Sequence, residues 1–144
     1  MSIAVLAPNL LMLKYPPRPR LPAVAVPWPL NWLERIGQAL CLVIPAITAA
    51  GTLVWVWSVP ALLALAGYYA LWARYLRRGQ RAGDLYAPVW RVPVPMAILP
   101  VIVFLAAAGW LANPWIGVAG IVLAAGHIPS ALIIARAVNG RGPV

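Results

Sequence analysis

The sequence predicts an all-α polytopic membrane protein: an antiparallel bundle of four transmembrane helices, preceded by a short apolar interfacial helix and a proline-rich strap. Hydrophobic residues make up 64% of the 144 residues, charged residues make up 9%, and the mean hydropathy is +0.88. A soluble domain of this length cannot bury so much apolar surface. The cationic residues cluster at the ends of the apolar stretches that would lie on one side of a membrane. The tryptophans lie near the ends on both sides, as in membrane-spanning bundles.

Four apolar stretches are the predicted spans. Each approaches the length of about 20 residues that a helix needs to cross a hydrocarbon core of about 30 Å. Because backbone N–H and C=O groups cannot stay unpaired in hydrocarbon, unbroken apolar runs without alternation predict helices. The joins after the first and third stretches are short and uncharged, which predicts antiparallel hairpins. The stretches are residues 36–57, 60–76, 92–111 and 115–135.

The cationic residues predict the orientation. They precede the first stretch, surround the join of the second and third, and follow the fourth: Lys14, Arg18, Arg20, Arg35, Arg74, Arg77, Arg78, Arg81, Arg91, Arg136 and Arg141. The positive-inside rule then places the N-terminal segment, the central loop 77–91 and the C-terminus on the cytoplasmic side of a cell (inner) membrane. We expect Arg77, Arg78 and Arg81 to contact anionic lipid headgroups, at about 1 kcal/mol for each charge. The net charge of +9 does not predict nucleic-acid binding, which needs a basic face on a soluble module.

The first 31 residues form a separate N-terminal region before the bundle of residues 32–137 and a cytoplasmic tail of residues 138–144. Ile3 to Leu13 is apolar but about half the length of a span, which favours an interfacial helix broken near Pro8-Asn9. Cleavage as a signal peptide, or a fifth span that would move the N-terminus outside, are the alternatives. Tyr15 to Pro29 holds six prolines, which favours an extended polyproline-like strap.

His127 is the candidate intramembrane polar site, together with Tyr68, Tyr69 and Ser130. It lies about midway along the fourth stretch, and ionisable groups at such depths usually face a bundle interior or a cavity. They are candidates for proton transfer or ligation. The structural alternative, which we favour, is a neutral imidazole bonded to a helix carbonyl or to Tyr68 or Tyr69.

The remaining polar residues indicate little chemistry. Glu34 and Asp84 are the only side-chain carboxylates, and we expect Glu34 to form an ion pair with Arg74, or with Arg35, on the cytoplasmic side. Cys41 is the only cysteine, so neither an intramolecular disulfide nor a cysteine metal cluster is predicted. The sequence lacks paired intramembrane carboxylates, a catalytic triad and a phosphate loop, so we predict no catalytic residue, metal or cofactor.

Several short motifs resemble those of a group of small bacterial multi-pass membrane proteins with no established activity. They are Pro8-Asn9-Leu10, Glu34-Arg35-Ile36-Gly37-Gln38, Tyr69 with Trp72, Arg74 and Tyr75, Pro93-Val94-Pro95-Met96 with Leu99-Pro100, and Gly126-His127-Ile128. The resemblance covers most of the chain and implies a bundle of four to five spans. The N-terminal apolar segment of that group is longer than the one here. The resemblance implies no substrate or mechanism.

Three functional classes follow from these features. The sequence favours a non-catalytic membrane protein that binds lipid or serves as an accessory or assembly subunit. The alternative is a small oligomeric transporter or channel with His127 lining the path, which predicts at least a dimer because four short helices rarely enclose a pathway alone. The third class is a membrane enzyme acting on a lipidic substrate. The expected partners are the lipid bilayer and its anionic headgroups, and either a homo-oligomer or a larger membrane complex.

Overall fold

The computed structural model describes residues 2–18 and 21–140, and this part of the chain is helical without β-strands. The helices are α1 (Ser2–Lys14), α2 (Trp28–Ile47), α3 (Ser58–Arg77), α4 (Ala82–Tyr86), α5 (Pro95–Trp110) and α6 (Pro114–Asn139), with a 3-10 turn at Trp55–Trp57 directly before α3. The prediction of an all-α protein is therefore confirmed for the described residues. Arg20, Arg141 and the end of the predicted tail lie outside them.

Two helical segments are long and apolar enough to cross a membrane. They are Trp55–Arg77, which joins the 3-10 turn to α3, and Pro114–Asn139, which is α6. Helices α1 and α5 are apolar but shorter. Helix α2 has 20 residues, but Glu34 and Arg35 and their polar neighbours lie in its first half. Length and composition thus support two of the four predicted spans, those in α3 and α6.

Helix α1 runs through Pro8 without the predicted break. A proline inside a helix has no N–H for the carbonyl four residues earlier, which leaves that carbonyl without its helical partner. Here the freed carbonyl belongs to Ala4, and the hydroxyl of Tyr69 in α3 donates to it at 2.8 Å. The tertiary contact replaces the missing helical hydrogen bond. The helix has 13 residues, which corresponds to about 20 Å.

The stretch predicted as one span from residue 36 to residue 57 divides at Ile47. Helix α2 begins earlier, at Trp28, where Pro29 occupies the first turn and needs no helical partner. It ends at Ile47, where Thr48 adopts extended dihedral angles and its hydroxyl donates to the carbonyl of Ile44 at 2.6 Å. Residues 48–54 are non-helical and make two backbone hydrogen bonds with the end of α5, at residues 110 and 111.

Helices α2 and α6 form the closest pair, and they are antiparallel. The side chain of Asn113, at the start of α6, donates to Thr48 and Ala49 at the end of α2, whereas Gly126 in α6 lies against Glu34 near the start of α2. A Cβ atom on Gly126 would overlap the main chain of Glu34. Glycine lets the two backbones approach to this distance, as in close-packed membrane helices.

Helix α5 lies between α3 and α6 and completes the core. The largest fully buried side chains there are Phe104, Ile116, Val103 and Val5 of α1, and they pack with Leu123 and Cys41. A second cluster holds Tyr68, Trp72 and Tyr75 of α3, whose rings pack edge to face against one another. Leu85 of α4 and side chains of α1 pack against these rings. This second cluster joins the N-terminal helix to the bundle.

Candidate functional site

A cleft of about 740 Å³ opens between α1 and the bundle. Helix α1 supplies one wall with Val5, Leu6 and Leu10, and the opposite walls come from α2, α3, α5 and α6. Phe104 and Leu123 belong to those walls, which are predominantly apolar. The volume lies within the range of about 300–1,000 Å³ that is typical of ligand sites.

The polar part of the cleft is built around Glu34 of α2 and His127 of α6. Because the two helices approach closely at Gly126, the side chain of Glu34 reaches α6, and its Oε1 lies 2.8 Å from Nδ1 of His127. A carboxylate can only accept a hydrogen bond, so Nδ1 carries the shared proton. The two side chains are 24% and 26% exposed, so the pair is half-buried yet open to a ligand.

Each member of the pair keeps one atom free. The amide of Gln38, one helical turn after Glu34, donates to the same Oε1 at 3.4 Å. Within the described residues, Oε2 of Glu34 and Nε2 of His127 have no hydrogen-bond partner. The pair therefore leaves one carboxylate oxygen of Glu34 and one ring nitrogen of His127 available to a ligand in the cleft.

Arg35 and Tyr86 add a charge and a hydroxyl to this polar part. Arg35 follows Glu34 in α2, is exposed, lines the cleft and forms no ion pair among the described residues. Burial raises the pKa of Tyr86 above its usual value, and the negative charge of Glu34 raises it further. Tyr86 and Glu34 both line the cleft, and the raised pKa means that the phenol is neutral at physiological pH.

The structure brings together three of the four residues predicted as the intramembrane site. His127, Tyr68 and Ser130 all line the cleft. The hydroxyl of Tyr68 donates to Oδ1 of Asn9 in α1 at 2.9 Å, and the hydroxyl of Ser130 donates to the carbonyl of Gly126 at 2.8 Å. Tyr69 lies outside the cleft, where it bonds Ala4. The partner of His127 is thus a carboxylate rather than a helix carbonyl or a tyrosine.

The expected ion pair between Glu34 and Arg74 does not form. The guanidinium of Arg74 donates to the main-chain carbonyl of Asp84 at 3.2 Å, whereas Glu34 is directed to α6 by the approach of α2. Asp84 forms an ion pair with Arg78 at 3.5 Å. Arg77 and Arg81, the other residues predicted to contact anionic lipid, are exposed.

Sequence reasoning missed Asn9, Arg35, Gln38 and Tyr86 as parts of the site. A usable signal was present: Glu34 and Gln38 are separated by four residues in an otherwise apolar helix, so they share one face. The chain also has a single histidine, which needs a partner when it lies in a span. The described residues contain no group of three side chains suited to hold a metal ion.

Comparison of the chain with protein families, with curated proteins and with solved structures finds no match in any of the three.

Proposed function

We propose that the protein is a multi-pass integral membrane protein that binds a lipid in the cleft between α1 and the bundle, without acting on it chemically. The observation that carries this proposal is the division of the cleft into apolar walls and one polar part at Glu34, Arg35 and His127. A lipid has the same division, with acyl chains joined to a polar headgroup. The cleft opens to the surface, so acyl chains continue from it into the bilayer.

The exposed apolar surface supports residence in a membrane. Of the 18 most apolar consecutive residues in each candidate span, only 22% are buried in Trp55–Arg77 and 39% in Pro114–Asn139. Large apolar side chains are exposed on all four long helices, including Leu42, Val43, Val59, Leu62, Leu63, Ile102, Leu105, Val118 and Ile121. So much contiguous exposed apolar surface is rare on soluble monomers, and acyl chains would cover it.

In the proposed arrangement α2, α3, α5 and α6 all cross the bilayer, and α1 packs against the cytoplasmic half of this bundle. The central loop 77–91 and both termini are then cytoplasmic, as the cationic residues predict. Trp55 and Trp110, whose ring centroids are 5.6 Å apart, belong to the opposite boundary. Arg77 and Arg81 face the anionic headgroups of the inner leaflet.

Binding is favoured over transport by the filling of the bundle beyond the cleft. Phe104 and Leu123 line the cleft and pack with the fully buried Ile116, which does not line it. A path along His127 would have to pass through these side chains, or between two copies of the chain. Binding in the cleft requires neither.

Obstruction of the cleft tests the proposal. Ala39 is exposed and lines the cleft, so Ala39→Trp introduces a bulky ring into it without a change in the buried core. We expect native mass spectrometry of the gently extracted protein to show a retained lipid that Ala39→Trp removes. Ala66→Trp, an exposed position of α3 that does not line the cleft, is the matched control. Wild-type protein without lipid, or equal retention by both variants, would contradict the proposal.

A further inference from the structure

We propose that the headgroup bound in the cleft is a zwitterion that carries a phosphate and a primary ammonium. The ammonium binds the carboxylate of Glu34, and the phosphate binds the guanidinium of Arg35. This inference rests on the proposed lipid-binding function and names the chemistry that the cleft selects.

Glu34 supplies the site for the ammonium. Its Oε1 already accepts from His127 and Gln38, whereas Oε2 is free among the described residues. The side chain is 24% exposed, so Oε2 is accessible to a ligand, and a charged donor forms the strongest hydrogen bond with a carboxylate oxygen. A primary ammonium has three N–H donors, so it can bond Oε2 and still bond neighbouring acceptors. A quaternary ammonium has none.

Arg35 supplies the site for the phosphate. Consecutive residues of an α-helix point about 100° apart, so Glu34 and Arg35 flank the cleft instead of pairing with each other. The guanidinium has no carboxylate partner among the described residues, and its planar fork of donors matches two phosphate oxygens. The two charges are thus held apart on adjacent residues, as they are in the headgroup.

The other groups that face the polar part are compatible with a zwitterion and not with a net anion. His127 of α6, Gln38 of α2, Tyr68 of α3 and Tyr86 near the end of α4 contribute hydrogen-bonding groups. Within the described residues, Glu34 and Arg35 are the only carboxylate and the only guanidinium that line the cleft. An anionic headgroup would satisfy Arg35 but repel Glu34.

Lipids with identical acyl chains and different headgroups test this inference on the full-length protein. Delipidated protein is titrated with phosphatidylethanolamine, phosphatidylcholine and phosphatidylglycerol, with binding followed by native mass spectrometry. We expect phosphatidylethanolamine to bind about tenfold more tightly than phosphatidylcholine, because trimethylation removes the N–H donors. This comparison uses the unaltered chain, so it does not depend on the folding of any variant.

Two substitutions locate the effect. Glu34→Gln keeps a side chain of the same shape beside His127 and removes the charge, so we expect it to abolish the preference for phosphatidylethanolamine over phosphatidylcholine. Arg35→Gln should weaken both zwitterionic lipids about equally. Arg77→Gln removes an exposed cation that does not line the cleft, and we expect it to leave both affinities unchanged.

The outcomes separate this inference from the function on which it rests. Equal binding of the three lipids, or a preference for phosphatidylglycerol, would overturn the zwitterion and leave lipid binding intact. An equal effect of Arg77→Gln and Arg35→Gln would also overturn it, because binding would then follow surface charge. Equal affinity for free glycerophosphoethanolamine would assign the site to a soluble ligand. Absence of any bound lipid would overturn the proposed function as well.

Discussion

At the scale of single residues, the bond between Glu34 and His127 decides the chemistry of the cleft. It joins two side chains that are 93 residues apart in the chain, and it spares each of them an unpaired polar atom in an apolar setting. It also selects the imidazole tautomer, since the proton on Nδ1 points to the carboxylate. Oε2 and Nε2 then have no partner among the described residues, and both side chains line the cleft.

We expect His127→Ala to destabilise the fold by about 1–3 kcal/mol, because it leaves the half-buried carboxylate of Glu34 without its closest donor. Thermal unfolding in detergent at neutral pH measures this loss. His127→Asn is the matched control, since an asparagine amide places an N–H near the position of Nδ1. We expect this variant to unfold close to the wild-type temperature. Equal destabilisation by both variants would show that the hydrogen bond is not the cause.

At the scale of elements, the crossing of α2 and α6 positions the whole site. Gly126 and Gly37 are the contact points, because a Cβ on either residue would overlap the main chain of the partner helix. The same approach directs Glu34 to His127 and away from Arg74. Helix α1 is attached differently, through hydroxyl groups of α3 that bond Asn9 and Ala4.

Gly126→Ala is expected to separate α2 from α6 and to cost about 1–3 kcal/mol, the usual penalty for overpacking. Gly117→Ala, in the same helix, is the matched control. A Cβ there would meet its nearest neighbour, the Cβ of Ala108, at an ordinary 3.5 Å. Alanine also favours the helix over glycine, so Gly117→Ala should be neutral or stabilising. Similar unfolding temperatures for the two variants would contradict the close crossing.

At the scale of the whole molecule, charge and apolar surface together set the proposed orientation. Exposed cations flank the central loop at the ends of α3 and α5, namely Arg77, Arg78, Arg81 and Arg91, whereas the opposite end carries the paired rings of Trp55 and Trp110. The residues between these ends expose large apolar side chains. The positive-inside rule leads to this distribution if the proposed orientation is right, with lipid around the middle and the cytoplasm at the cationic end.

Cysteine labelling with a membrane-impermeant reagent tests this orientation. Thr52→Cys, in the exposed segment after α2, should be labelled from outside intact cells, and Arg91→Cys only after the membrane is opened. The native Cys41 is fully buried, so the unaltered chain should remain unlabelled and serves as the control. Asn113 is a poor site for the label because it is buried at the start of α6. Labelling of Arg91→Cys alone in intact cells would reverse the orientation.

The sequence by itself determined that the chain is helical and strongly apolar, because both properties follow from local composition. The segments predicted as spans near α3 and α6 are helices of the required length and hydropathy. The end of α2 at Ile47 was not predicted, because the apolar stretch continues past it. The helix ends where the hydroxyl of Thr48 bonds the carbonyl of Ile44 and the following residues form backbone hydrogen bonds with the end of α5.

Only the tertiary structure decided where the site lies and which residues form it. Composition marks His127 as unusual, but its partner depends on which helices touch and at what distance, and two glycines decide that by permitting close backbone approach. The position of α1 beside the cleft likewise depends on the hydrogen bond from Tyr68 to Asn9, across 59 residues of chain. Such contacts join residues far apart in sequence, so no local pattern encodes them.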